Sequence, residues 1–193
     1  MGYACFVVPE VPTIFLGAGF KFPAGDEEKM LVFETELLAT QLRMENAFAR
    51  LADLQDKPVA LIFDRGTMDV GAYLPAGLWR EVLRLCGETE TSLLSRYDVV
   101  LHFRTVAAGS WGEALYRNGN TEDDCGVKVF RTSTPDQAVV KDARSQLIWQ
   151  AHPNVHLLES TPDFQEKLDV ALTALRTFAH GEIRPPPRSS EIQ

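Results

Sequence analysis

The sequence lacks any apolar run near the roughly 20 residues of a membrane-spanning helix, and its start lacks the pattern of a signal peptide. Cysteine is scarce: Cys5, Cys86 and Cys125 stand in no metal-binding or redox spacing, which is typical of a reducing compartment and predicts a cytoplasmic protein. The net charge of -8 argues against a dedicated nucleic-acid partner. What is present, 193 residues that are 45% hydrophobic and 24% charged, suits one soluble globular domain.

Four short apolar runs predict the strands: Ala4–Val8, 99–103, Val59–Phe63 and Val155–Leu158. Each run is nearly continuous rather than alternating, which is typical of strands covered on both faces. Longer helix-like segments separate the runs. Strands that alternate with helices predict a three-layer α/β fold with a mainly parallel sheet.

Apolar spacing predicts two of the helices. One covers about 32–54 and the other includes 78–86. The apolar face of the first would contain Leu37, Met44, Phe48 and Leu51, with Glu36, Arg43, Glu45 and Arg50 elsewhere on the helix. The apolar face of the second would contain Trp79, Val82 and Leu83.

Two further helices begin at Thr-Pro pairs. Thr134 can cap a helix, and Gln137 completes a capping box. Thr161 begins the last helix, whose predicted apolar stripe is Phe164, Leu168, Leu172 and Leu175. The Gly-containing stretch 110–131 is interpreted as a loop or lid, and the Pro- and Ser-rich residues 184–193 as a disordered tail.

Polar residues cluster where the predicted strands end. Glu10 follows the first run, Asp64 and Arg65 follow the second, and His152 precedes the fourth. Ligands of parallel α/β sheets bind beyond the carboxyl ends of the strands. Simpler interpretations stay open: Asp64 as a helix cap, Glu10 as a turn residue and His152 as a structural loop residue. Arg131 and Arg144 could likewise form only surface ion pairs.

Several stretches, in order and spacing, resemble the P-loop kinase-like domain of the NadR type. They are VVPEVPT, LVFETELLATQLRMENAFARLA, FDRGTMDVGAYLP and RTSTPDQAVVKDARSQLIWQAHPNVHLLES. The same domain type occurs in the fly TRPL translocation-defect protein. The resemblance extends over about residues 3–175, and it implies a P-loop NTPase or nucleoside-kinase-like fold over 1–183.

The resemblance implies phosphoryl transfer from ATP or GTP, with Mg²⁺, to a small hydroxyl acceptor. Asp64 would act on Mg²⁺, Arg65 would face phosphate or substrate, and Glu10 would be the general base. Arg131 would be a lid residue that stabilises charge on the transferring phosphoryl group.

The remaining site residues are implied to bind the two substrates. Those near the nucleotide would be Arg144, in the lid region, and His152, Pro153 and Asn154, near the base. Asp69 and Gln41 would contact the acceptor. A protein partner is also compatible with the resemblance, since a relative of this type points to regulation.

The sequence departs from the family pattern because it contains no GxxxxGK[ST], the loop that cradles phosphates. The glycine-containing stretch 15–21 lacks the Ser or Thr and is interpreted as a flexible connection. The family's first strand and loop would need roughly 30 residues before Tyr3. Either the chain is shortened there, or it has lost nucleotide binding, or its strands close over the gap. The retained acids and arginines favour shortening.

Three functional hypotheses follow from this departure. The first is a kinase-like domain whose transfer activity is impaired in the isolated chain. The second is a non-catalytic, nucleotide-dependent regulatory or interaction module. The third is a degenerate domain that binds no nucleotide.

Overall fold

The computed structural model describes residues 2–116, 119–122, 128–131 and 133–179. The chain forms two compact units, Met1–Leu94 (unit 1) and Ser95–Gln193 (unit 2). Both combine helices with short strands, so the predicted α/β class is confirmed. No helix within the described residues is long and apolar enough to cross a membrane.

Unit 1 contains a two-stranded parallel sheet of β1 (Ala4–Val8) and β2 (Val59–Phe63). Both strands have the predicted bounds. Their register pairs Val8 with Phe63, and the Asp64 N–H donates to the Val8 carbonyl at 3.1 Å. The two carboxyl ends are therefore level, and the residues after them leave the sheet side by side.

Five helices complete unit 1. They are α1 (Val11–Gly17), α2 (Glu27–Ala52), α3 (Asp69–Ala72), α4 (Ala76–Cys86) and α5 (Glu90–Leu94). The expectation of a flexible connection over 15–21 is wrong for its first three residues, which belong to α1. In α4 the predicted apolar face is confirmed, since Trp79, Val82 and Leu83 are buried. The left-handed residue Gly87, with φ of 69°, ends that helix.

Helix α2 begins earlier than predicted because Asp26 caps it, accepting a hydrogen bond from the Lys29 N–H at 3.1 Å. Its buried face contains Leu37, Leu38 and Leu42, but also the polar residues Glu34, Gln41 and Glu45. The prediction that Glu45 lies away from the apolar face is therefore wrong. Leu51, predicted to be on the apolar face, is 56% exposed.

Unit 2 contains a second two-stranded parallel sheet, of β3 (Val100–Phe103) and β6 (Val155–Leu158). Helix α7 (Pro135–Trp149) begins at the predicted capping box, in which both the Thr134 and the Gln137 hydrogen bonds are present.

Helix α8 (Phe164–Ala179) follows β6. Its predicted stripe is wrong, because Lys167 and Ala171 are the buried residues while Phe164 and Leu172 are exposed. The Lys167 amine donates to the Arg104 carbonyl at 2.6 Å, so this contact faces the interior of unit 2.

The stretch 110–131 is more regular than the predicted loop. It contains α6 (Gly112–Leu115) and an antiparallel pair, β4 (Gly119–Glu122) and β5 (Lys128–Arg131). The loop interpretation is wrong for these elements. Cys125 and the predicted tail 184–193 lie outside the described residues.

Three sheets of two strands account for all strand pairing among the described residues. Parallel pairing is confirmed within each unit, whereas one continuous three-layer sheet of the P-loop type stays a prediction. The expectation of strands covered on both faces is wrong for Phe6, Val7 and Ile62, which are 38%, 63% and 45% exposed. Continuous apolar runs thus located the strands without revealing how much of each face is covered.

Candidate functional site

Glu10 and Arg65 meet at the carboxyl end of the β1–β2 sheet. The Arg65 Nε lies 3.7 Å from the Glu10 Oε2, and the two side chains are 47% and 30% exposed. Glu10 is the residue before α1, and its other carboxylate oxygen accepts a hydrogen bond from the Thr13 hydroxyl. Two predicted site residues from different strand ends therefore form one charged pair open to solvent.

Arg65 has a backbone conformation that side chains rarely adopt. Among the described residues it is the one non-glycine with a positive φ, 70°. Such a left-handed conformation costs about 1–2 kcal/mol. Strain of this kind often accompanies functional sites, because the surrounding structure must hold it in place.

Hydrogen bonds on both sides hold the turn that contains Arg65. The Gln41 Nε2 donates to the Arg65 carbonyl at 2.9 Å, and the Gly66 N–H donates to the Asp69 Oδ2 at 2.8 Å. The Gln41 Nε2 also lies 3.2 Å from the Glu45 Oε1, which orients the amide. Gln41 and Asp69, predicted to contact the acceptor, thus have a structural use in positioning Arg65.

Glu45 was missed as a site residue. Gln41 and Glu45 are each 3% exposed and lie four residues apart, on one face of α2. The four-residue spacing of these two polar residues was visible in the sequence. It could not be distinguished from the spacing of the many exposed polar pairs on a long helix.

Glu34 is a second acid that sequence reasoning missed. It is 3% exposed, and burial raises its pKa to about 7. It precedes Gln41 by seven residues, which is two helical turns and places both on the same face. The negative charge of Glu34 also acts on Tyr73, whose pKa is raised first by burial.

Tyr73 and Arg65 couple these acids electrostatically. Burial acts to lower the pKa of Arg65, but its electrostatic interactions with Tyr73, Asp69, Glu10 and Asp64 raise that pKa above its ordinary value. Conversely, Arg65 acts to lower the pKa of Tyr73. The site in unit 1 is therefore a group of acids around one guanidinium, which stays charged at any physiological pH.

The acids of this turn suit a hard cation. Asp64 is exposed beside the Glu10–Arg65 pair, whereas one oxygen of Asp69 is already bonded to the Gly66 N–H. No three metal-binding side chains cluster within the described parts of the chain. Mg²⁺ commonly takes only one or two carboxylates, completed by water and substrate phosphates. A single carboxylate, that of Asp64, would fit that mode of binding.

The predicted nucleotide residues lie in unit 2. His152 is 3% exposed; its Nε2 is 2.7 Å from the Tyr97 carbonyl, and its Nδ1 accepts from the Asn154 N–H at 3.1 Å. The Asn154 amide donates to the Asp98 carbonyl at 3.0 Å. These contacts agree with the structural interpretation of His152, because both ring nitrogens are used within the unit.

The other three residues predicted in unit 2 make fewer described contacts. Arg144 and Pro153 are exposed. Arg131 ends β5, and its side chain lies outside the described part of the structure. Their roles at the phosphates and the base stay predictions.

A buried charge network at the carboxyl end of β3 was also missed. The Asp142 carboxylate lies 3.3 Å from the His102 Nε2 and 3.6 Å from the Arg104 Nε, and accepts from the Thr105 N–H at 3.1 Å. Burial acts to raise the pKa of Asp142, but its contacts with His102, Thr105 and Arg104 lower it overall. Burial also lowers the pKa of Lys167. The sequence signal was a histidine inside an apolar strand.

Comparison of the chain with family models, curated proteins and solved structures found no match.

Proposed function

We propose that the protein transfers a phosphoryl group from ATP or GTP to a small hydroxyl acceptor, and that unit 1 binds the acceptor. The supporting observation is the Glu10–Arg65 pair, with Nε 3.7 Å from Oε2, at the level carboxyl ends of β1 and β2. A carboxylate beside a fixed guanidinium combines a proton acceptor with an anion-binding group.

In this proposal Glu10 is the general base. Its carboxylate takes the proton of the acceptor hydroxyl as that oxygen bonds to the terminal phosphorus, and the bond to the nucleoside diphosphate breaks. Arg65 neutralises charge on the phosphoryl oxygens. Its strained backbone fixes the position from which its side chain extends.

Asp64 would hold Mg²⁺, which when bound neutralises phosphate charge. Gln41 and Asp69 act in the proposal by keeping the Arg65 turn in place. Free thiols at Cys5 and Cys86 are compatible with the cytoplasm as the site of the reaction.

The test measures binding of Mg-ATP and Mg-GTP and phosphoryl transfer to a panel of nucleosides and sugars. Two forms are assayed: the chain as it stands, and the chain preceded by a strand and a GxxxxGK[ST] loop. In the active form, Glu10→Gln should lower transfer by about 100-fold or more while nucleotide binding persists. Glu27→Gln, an exposed acid on α2, is the matched control. Absence of nucleotide binding by both forms would contradict the proposal.

A second candidate is a nucleotide-dependent regulatory module without transfer. One observation favours it: both oxygens of the Glu10 carboxylate face partners, Thr13 and Arg65, so a base would first have to release one. For such a module, nucleotide binding would be measurable, no acceptor would be phosphorylated, and Glu10→Gln would leave its activity in cells unchanged.

A further inference from the structure

Four phenylalanine rings form a cluster between α1 and the first turns of α2. Ring centroids are 6.4 Å apart for Phe15 and Phe20, 5.9 Å for Phe15 and Phe33, and 5.8 Å for Phe22 and Phe33. Phe20 and Phe22 are 66% and 42% exposed. Contiguous exposed apolar surface of this kind is typical of an interaction site.

Three of the rings, Phe15, Phe20 and Phe33, line a cavity of about 620 Å³, here named the phenylalanine groove. Its charged wall residues are Lys21, Glu28, Lys29 and Glu36. Lys29 is paired with Asp26 at 2.6 Å. Glu28 and Glu36 are exposed, and among the described residues neither side chain has a hydrogen bond or ion pair. The groove thus combines aromatic rings with two acids whose side chains have no ion pair among the described residues, together with the exposed Lys21.

The spacing of the two acids selects a partner. Glu28 and Glu36 are eight residues apart in a helix, so they are separated by about 12 Å along its axis. In a polyproline II helix, which rises about 3.1 Å per residue, two residues four positions apart are separated by about 12 Å as well. The sequence of this chain has that arrangement at 184–188, where three prolines lie between Arg184 and Arg188.

We propose that the phenylalanine groove binds the sequence 184–188 of a second copy of the chain as a polyproline II helix. The prolines pack on the phenylalanine rings, as in other aromatic-lined grooves that recognise proline-rich segments. Arg184 and Arg188 pair with Glu28 and Glu36. The two acids point in somewhat different directions from the axis of α2, and the long arginine side chains can reach both. This inference does not depend on phosphoryl transfer.

The test measures the fluorescence anisotropy of a labelled peptide, residues 180–193, as the full chain is added. The added chain carries R184A/R188A, so that its own residues 184–188 do not compete with the peptide for the groove. Adding E28R/E36R should weaken binding about tenfold or more, since two attractions become repulsions. Glu27→Arg, the same type of substitution at one exposed acid outside the groove, should leave binding unchanged. A peptide with glutamate at 184 and 188 should bind the E28R/E36R chain and not the parent chain.

A second measurement addresses the prolines and the second copy. Replacing 185–187 with alanine should weaken the peptide about tenfold, and sedimentation equilibrium should show that the unmutated chain self-associates more strongly than R184A/R188A. The proposal is overturned if the peptide does not bind or if the E28R/E36R chain binds it as tightly as the parent chain does. It is also overturned if the alanine peptide binds as tightly as the original, because that result would indicate an α-helix in the groove. A chain that stays monomeric above the Kd of the peptide excludes the second copy.

Discussion

Replacing Glu34 with glutamine should stabilise unit 1, by an amount that grows with pH. Burial raises the pKa of Glu34 from 4.5 to about 7, and no hydrogen bond or ion pair with the described residues compensates it. The folded state therefore holds the proton more tightly than the unfolded state. Stability is fully present below the unfolded pKa of 4.5 and falls as the pH rises toward 7, where the buried carboxyl ionises.

The magnitude follows from the shift. A rise of the Glu34 pKa from 4.5 to about 7 corresponds to a penalty of about 3 kcal/mol once the group is ionised, well above pH 7. The penalty is nearly complete at pH 7 and well below about 1 kcal/mol at pH 4.5. Because Glu34 is 3% exposed, solvent screening does not reduce these values appreciably. The neutral amide of Glu34→Gln resembles the protonated acid and avoids the penalty.

The assay is urea unfolding at pH 4.5, 5.5, 7 and 8.5, with hydrogen exchange of the α2 peptides as the signal for unit 1. The free energy of unfolding of Glu34→Gln should exceed that of the parent only slightly at the lowest pH and by about 3 kcal/mol at the highest. Glu36→Gln, an exposed acid on the same helix, controls for loss of charge. A constant difference across this pH range would refute the reasoning.

Three further predictions test the site turn, a cap and the buried network. Arg65→Gly and Arg65→Ala both remove the guanidinium, but the φ of 70° favours glycine, so thermal unfolding should show the glycine variant about 1 kcal/mol more stable; equal stabilities would contradict the strain. Thr134→Ala removes one half of the capping box and should cost about 1 kcal/mol in urea unfolding, whereas an unchanged midpoint would mean that the cap contributes nothing. Asp142→Asn should cost about 1–3 kcal/mol at pH 7, since His102 and Arg104 lose a buried anionic partner. Because the pKa of Asp142 is lowered in the folded state, the difference in the free energy of unfolding should be present above pH 3.8 and disappear as the pH falls through the folded-state pKa. A difference that persists unchanged in acid would exclude the ionic contribution.

The helix and strand positions that could be predicted were those encoded by neighbours in sequence. The runs Ala4–Val8 and Val59–Phe63 are strands with the expected bounds, because each is an uninterrupted apolar run rich in β-branched and aromatic residues, which favour extended backbone. The Thr134–Gln137 box began α7 as expected, since both of its hydrogen bonds join residues three apart. The site acids and Arg65 could be proposed because they follow those strands directly.

The faces of the helices could not be predicted in the same way. Helix α2 packs against α1, α3, α4, β1 and β2, so more of its circumference is covered than one apolar stripe suggests. Glu34 and Glu45 are buried in consequence, although isolated acids on a long helix usually face water. In α8 the buried position of Lys167 depends on the Arg104 carbonyl, which is distant in sequence.

The sequence by itself determined where the strands lie, where α7 begins and which charged residues follow the strands, because each depends on interactions within a few residues. Tertiary structure decided the pairing of strands into separate two-stranded sheets, the strained backbone of Arg65 and the contact between Glu10 and Arg65. Those features require parts of the chain some fifty residues apart to meet, as the parallel register of β1 with β2 shows. Local propensity carries no information on such distant contacts, because they depend on which surfaces are left to cover once each element has formed.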